Sequence, residues 1–239
     1  MEVLILVSII LSLTQPILIT DMRTSEFSYV ILLDNSYSME VNDVGMRRID
    51  LAKKIARNFV NSLPYGSESA LVTFAGDVKI IKGMDASSIR TYLSIDSIDI
   101  SHVDGSNILN AIVSSSSLFG SREKKAILLI SDGEFGMENL TNVLGFIEAN
   151  NIKVDSILVG GEGGTDSLGR FHKTNKENLK ALSTNSKGKF YAAEEVNFDS
   201  LISESTREVH LDLSYYFLLL SLIIFSLLWF LKNLGFLPS

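Results

Sequence analysis

Residues 27–39 read Phe-Ser-Tyr-Val-Ile-Leu-Leu-Asp-Asn-Ser-Tyr-Ser-Met, an apolar run followed at once by oxygen-bearing side chains. A run this continuous suits a strand buried on both faces, as in a parallel sheet. Open α/β sheets bind ligands beyond the carboxyl ends of their strands, which is where Asp34, Ser36 and Ser38 fall. In an extended loop the i, i+2, i+4 spacing turns all three to one side, so a carboxylate and two hydroxyls converge. Taken alone, the three residues suit an Asx-turn capping the next element equally well.

A second run ends the same way: Leu129-Ile130 is followed by Ser131-Asp132-Gly133-Glu134, which puts Asp132 on the same sheet edge as Asp34. Carboxylates and hydroxyls without imidazole or thiolate match a hard divalent cation, Mg²⁺ first, with Mn²⁺ or Ca²⁺ as alternatives. Further strand-length runs are Ala70 to Ala75, Val78 to Ile81, Val154 to Val159 and Lys189 to Ala192. Between them, Ala52, Ile55, Ala56, Phe59, Val60 and Leu63 keep helical spacing, as do Leu140, Val143, Leu144 and Ile147. Ile108, Ala111 and Ile112 begin another helix, and Leu179 with Leu182 a fourth. Strand and helix in alternation predict an α/β, doubly wound, mostly parallel sheet with helices on both faces. Gly76-Asp77 between two short runs predicts a hairpin, hence one antiparallel edge strand.

Asp-Asn-Ser-Tyr-Ser-Met after the first strand, Asp104-Gly105-Ser106-Asn107 before a helix, and Ile130-Ser131-Asp132-Gly133-Glu134 after a later strand together resemble a von Willebrand factor A (VWA) domain. The three segments are similar to that family's metal-ion-dependent adhesion site (MIDAS). The resemblance runs from about Phe27 to Ser205 and takes in Gly188-Lys189-Phe190-Tyr191. It implies a six-stranded sheet whose first and fourth strands are central neighbours. It also implies a metal held by Asp34, Ser36, Ser38, Ser106 and Asp132, with Ser106 in the family's usual Thr position. Serine keeps the ligating hydroxyl and loses a methyl, so it is held less rigidly. The implied function is non-enzymatic: a partner protein supplies an Asp or Glu to the metal. With the ligands on loops above the sheet, truncating one is expected to leave the fold intact.

The chain has 239 residues, a net charge of −7 and no cysteine. The missing cysteines exclude a disulfide scaffold and a thiolate centre, and the acidic balance argues against nucleic acid as a partner. A mean hydropathy of +0.25 is high for a soluble domain. The excess lies in residues 3–20 and 213–231, which carry no charge and are long enough to cross a bilayer. The expected organisation is an N-terminal anchor or signal peptide at 1–20, the VWA domain at 21–208, a transmembrane helix at 213–231 and a tail at 232–239. Such an arrangement resembles Bat-type (aerotolerance-related) membrane proteins. That resemblance implies an integral membrane protein with an extracytoplasmic domain, in contact with lipid, with other VWA membrane proteins or with a MoxR-type AAA ATPase system.

Gly160-Gly161-Glu162-Gly163-Gly164 lacks the Lys and Ser/Thr of a phosphate loop and reads as a flexible loop. His102 reads as a surface residue, Asp104 as a turn former, and Glu40 and Glu134 as solvated loop charges. Two rival functions use the same residues. A haloacid-dehalogenase-like, Mg-dependent phosphotransfer enzyme has an Asp after its first strand, but it needs an acid where Ser36 stands. A scaffold with a vestigial site keeps the fold and binds no metal.

Overall fold

The computed structural model describes residues 2–233, leaving aside the side chains of 2–6, 8, 22, 137–139, 207–211, 228 and 231–233. Its strands are β1 (Ile17–Ser25), β2 (Ser28–Asp34), β3 (Ser69–Phe74), β4 (Val78–Asp85), β5 (Lys125–Ser131), β6 (Ile152–Leu158), β7 (Gly164–Thr165), β8 (Phe171–His172), β9 (Phe190–Ala192) and β10 (Glu204–Asp212). The helices are α1 (Glu2–Leu13), α2 (Arg48–Ser62), α3 (Ser88–Ile95), α4 (Ile108–Ser117), α5 (Met137–Ala149), α6 (Lys176–Asn185), α7 (Phe198–Leu201) and α8 (Ser214–Asn233). They form two compact units: residues 23–205, and the two ends taken together, up to residue 22 and from residue 206.

The larger unit holds a six-stranded sheet in the order β4-β3-β2-β5-β6-β9. All its pairings are parallel except β3 with β4, the edge hairpin expected at Gly76-Asp77. Successive β2 side chains alternate between two cores, which is why the run is apolar throughout. Tyr29, Ile31 and Leu33 pack with Ile55 and Phe59 of α2, while Val30 and Leu32 pack with Ile112 of α4, Val143 of α5 and Leu179 of α6. The strand order reverses between β2 and β5. Asp34 and Asp132 therefore sit at the topological switch point, where helices leave on opposite faces and a crevice opens.

The Gly-rich stretch is not only a loop. Gly164–Thr165 pairs with Phe171–His172 as a small antiparallel hairpin between β6 and α6. Two-residue strands carry too little apolar periodicity to be read from sequence.

In the terminal unit, the expected 18-residue span at 3–20 is not one helix. The helix stops at Leu13; Gln15 has φ 47°, and Pro16, which cannot donate, leads into β1. Twelve residues make about 18 Å of helix, against a hydrocarbon core of about 30 Å. Strands β1 and β10 form a two-stranded ribbon. It is bounded by Leu213 N donating to Pro16 O (3.0 Å) and Glu26 N donating to Ser203 O (2.7 Å), so its strands run in opposite directions. The run expected at 213–231 lies in α8, whose side chains are described without a break only over 214–227. Among the described residues no helix is long and apolar enough to cross a membrane, so the two expected spans gain no support here. The expected tail at 232–239 falls mostly on residues 234–239, outside the described residues.

Candidate metal centre

Strand β2 delivers Asp34 buried into the crevice. Its Oδ1 accepts from the backbone N (3.0 Å) and Oγ (2.6 Å) of Ser36, and Ser36 Oγ lies 3.0 Å from Ser38 Oγ. The three groups converge as expected, by a different route: Tyr37–Glu40 is a turn of 3₁₀ helix, which tightens the loop and brings Ser38 back over Ser36. Strand β5 adds Ser131, whose Oγ donates to Asp34 Oδ2 (2.6 Å), and buried Asp132, whose Oδ1 accepts from Glu134 N (3.0 Å).

Ser106 comes from a loop fastened to the rest by backbone bonds: Asn107 N donates to Ala75 O (2.7 Å) and Ser101 N to Asn35 O (2.7 Å). A Cβ at Gly76 would lie 2.1 Å from Asp104 O, so the hairpin turn and this loop touch through a bare glycine. Gly76→Ala should push residues 103–106 away and weaken cation affinity by about tenfold or more, as loss of an outer support does. Isothermal titration with Mn²⁺ measures it, and an unchanged affinity would rule out this dependence.

Ser106 Oγ is buried and has no hydrogen-bond partner. An orphaned hydroxyl is costly, so its position asks for a ligand. Each carboxylate also keeps acceptor capacity beyond its protein bonds. Burial first, and then the charge of Asp132, push the Asp34 carboxyl up from 3.8 to about 7, against hydrogen bonds from Ser131 and Ser36. A buried hydroxyl left unused and two acids forced together suit a cation; Arg170 Nη2, on a residue lining the same cleft as Ser106, is likewise buried without a partner. Three hydroxyls and two acids fall short of an acid cluster, and among the described residues no group of three or more His, Cys, Asp or Glu is placed to hold a metal.

The lifted Asp34 has consequences on both sides of pH 7. Its folded value exceeds the unfolded one, so the metal-free protein loses stability from this group as pH rises from about 4 to about 7 and regains it on acidification. Cation binding must displace that proton, so each pH unit below about 7 should weaken affinity about tenfold. Titrations at several pH values check this; a flat profile between pH 5 and pH 7, as order-of-magnitude bounds, would contradict it.

Sequence reasoning missed Arg48. Its guanidinium is fully buried; Nη1 donates to Asp132 Oδ2 (2.8 Å) and to Ser38 O (3.3 Å), while Nε and Nη2 grip Asp43 (3.1 and 2.6 Å). The signal was present, since Arg48 lies four residues before Ala52 on the buried stripe of α2. The residues set aside as loop charges also have partners. Asp104 pairs with Arg170 Nη1 (2.7 Å), Glu134 with His172 Nδ1 (2.7 Å), and Glu40 accepts from Ser167 N (3.1 Å). Tyr37 Oη lies 3.4 Å from His102 Nδ1 and its ring faces Arg170. Asp166 ties the β7–β8 hairpin together by accepting from Arg170 Nε (2.8 Å) and His172 Nε2 (3.1 Å). Burial opposes charge on His172, yet its bonds with Asp166 and Glu134 outweigh this and raise its pKa. Ser36, Ser38 and Ser106 thus face Glu134, Arg170 and His172 across a cleft of about 200 Å³.

The fold agrees with the comparisons. Residues 29–134 match the family model of the von Willebrand factor type A domain, a span that runs from β2 through Asp132. The chain carries a VWA domain. A UPF0353 protein of Nocardia farcinica is 27% identical over 191 residues, 69% of this chain and 57% of that protein, so the chain spans a little over half of that relative. An aerotolerance-related membrane protein from Bacteroides fragilis NCTC 9343 superposes with a TM-score of 0.65 at 22% identity, covering 73% of this chain and 94% of that one. Proximal thread matrix protein 1 from the mussel byssus, with a zinc-occupied MIDAS motif, gives a TM-score of 0.60 at 16% identity, covering 79% and 50%. At these identities the two structures establish the shared fold of the VWA domain.

Proposed function

We propose that this VWA domain binds a partner protein through a divalent cation, Mg²⁺ first, held by Asp34, Ser36, Ser38, Ser106 and Asp132. The observation that carries the reading is the buried, unpartnered Ser106 Oγ opposite the bonded Asp34–Ser36–Ser38 group. The mussel relative's occupied MIDAS motif supports it. A bound cation would supply attraction for a partner's Asp or Glu. The protein's part is to fix the hydroxyls, to hold Asp132 against Arg48, and to border the cleft with Arg170 and His172. We assign no catalytic residue.

The terminal unit we propose to be seated in a membrane. Its two ends are uncharged over 3–20 and 213–231, and α1 and α8 pack together. They leave Ile10, Leu13, Leu222, Phe225 and Trp229 more than half exposed, a density of exposed apolar side chains suited to lipid. The name of the Bacteroides relative supports this reading. By the Bat-type resemblance the VWA domain is extracytoplasmic, within an envelope assembly or stress-tolerance system.

Affinity capture from detergent-solubilised membranes, in Mg²⁺ and then in EDTA, tests the function. Partners held in Mg²⁺ and released by EDTA are expected. The same partners retained in both would overturn the metal-bridged reading.

A further inference from the structure

Two residues lining the cleft beside the metal centre carry a buried polar atom with no hydrogen-bond partner among the described residues: Ser106, at Oγ, and Arg170, at Nη2. Their needs are opposite. A hydroxyl oxygen can ligate a cation, whereas a guanidinium nitrogen only donates, so no cation satisfies it and it asks for an oxygen acceptor. Leaving such a donor buried and unused costs the desolvation of a charged group. His172, the other side chain on the cleft that can carry positive charge, has both ring nitrogens engaged, Nδ1 with Glu134 (2.7 Å) and Nε2 with Asp166 (3.1 Å). Nη2 of Arg170 is therefore the donor left open to an arriving anion.

Arg170 is held against both loops that carry the hydroxyls. Its Nη1 donates to Asp104 (2.7 Å), two residues before Ser106, and its guanidinium carbon lies 4.6 Å from the centre of the ring of Tyr37, which stands between Ser36 and Ser38. Its Nε donates to Asp166 (2.8 Å) within its own hairpin. That hairpin is fastened to the first loop in turn: Ser167 N donates to Glu40 Oε2 (3.1 Å), and a Cβ at Gly164 would lie 2.6 Å from Val41 Cγ1. A donor fixed in this way loses little freedom when it binds.

We infer that Arg170 is a specificity-determining residue of the cleft, its Nη2 donating to one oxygen of the partner's carboxylate and leaving the other oxygen for the cation. The inference rests on the metal-bridged function proposed above. It favours Asp or Glu over a hydroxyl or a carbonyl, because a lone oxygen spent on the cation leaves Nη2 without an acceptor. Asp104 and Asp166 already offset the charge of Arg170, so its contribution is a directed, charge-assisted hydrogen bond rather than net attraction.

The full chain in detergent, loaded with Mn²⁺, tests this with acetate as the probe. Isothermal titration reads the Mn²⁺ affinity, and broadening of the acetate methyl proton resonance reads the acetate affinity. In Arg170→Gln, acetate is expected to bind about tenfold more weakly than in the wild type at unchanged Mn²⁺ affinity, the loss of one hydrogen bond to a charged group. Arg170→Lys can keep an ion pair but lacks the planar fork, and it should lose acetate affinity as well. Where only one variant keeps its Mn²⁺ affinity, that variant decides. Equal acetate affinity in wild type and variants, each loaded with Mn²⁺, would overturn the inference and leave the metal-bridged reading standing. Loss of Mn²⁺ binding in both variants would make Arg170 a support of the ligand loops and likewise overturn it. A wild type that binds no Mn²⁺ would overturn both.

Discussion

Arg48→Met should destabilise the sheet unit by about 3–5 kcal/mol, the usual result of removing one partner from a buried ion pair. The guanidinium has no exposed surface and lies between Asp132, equally buried, and Asp43. Methionine keeps the stem's volume and removes the charge, leaving Asp132 uncompensated beside an Asp34 that already resists ionisation. Urea denaturation reads the effect as a lower midpoint at unchanged slope. Added Mg²⁺ should recover more stability in this variant than in the wild type, because the cation then faces two acids without a competing positive charge. A loss below about 1 kcal/mol would place Arg48 among solvated pairs and remove it from the account.

Arg48 also corrects the expectation that any metal ligand is removable without harm to the fold. Asp132 is an inner residue tied to a buried cation, so Asp132→Ala is expected to cost stability as well as metal binding.

Ser106→Ala is the cleaner probe. Its hydroxyl makes no hydrogen bond, so its removal should leave the metal-free protein as stable as before or slightly more so. Partner binding in Mg²⁺ should nevertheless weaken by about 2–5 kcal/mol, through faster dissociation, as when one side of a desolvated charge contact is lost. Surface-immobilised partner from the capture experiment gives the rate constants directly. A variant that dissociates no faster than the wild type in Mg²⁺ would remove Ser106 from the ligand set.

The alternation of strand and helix and the edge hairpin were legible because each rests on a strong local signal, whereas the central place of β2 and β5 and the role of the Ser106 loop came from the VWA resemblance. Val30 to Leu33 is apolar without a break only because both faces of β2 are covered, and Gly76-Asp77 marks the one reversal of direction. The residues that shape the site around the ligands were not legible. Arg170 and His172 act from a hairpin of two-residue strands, and their partners Asp104 and Glu134 lie on two other loops. No sequence period links loops that meet only through the fold. At the N-terminus apolarity was read correctly and conformation was not. Residues 17–20 are as apolar as a membrane helix, yet Pro16 and the pairing of β1 with β10 make them strand.

The central claim is that five side chains at the β2–β5 switch point hold a divalent cation, and thermal unfolding across a Mg²⁺ and Mn²⁺ titration tests it most directly. At about 100 times its dissociation constant a cation should stabilise the wild type by about 2.7 kcal/mol, raising the melting temperature, with the increment lost in Ser106→Ala. A melting temperature that stays unchanged to saturating concentrations of both cations would contradict the claim and leave a VWA scaffold with a vestigial site.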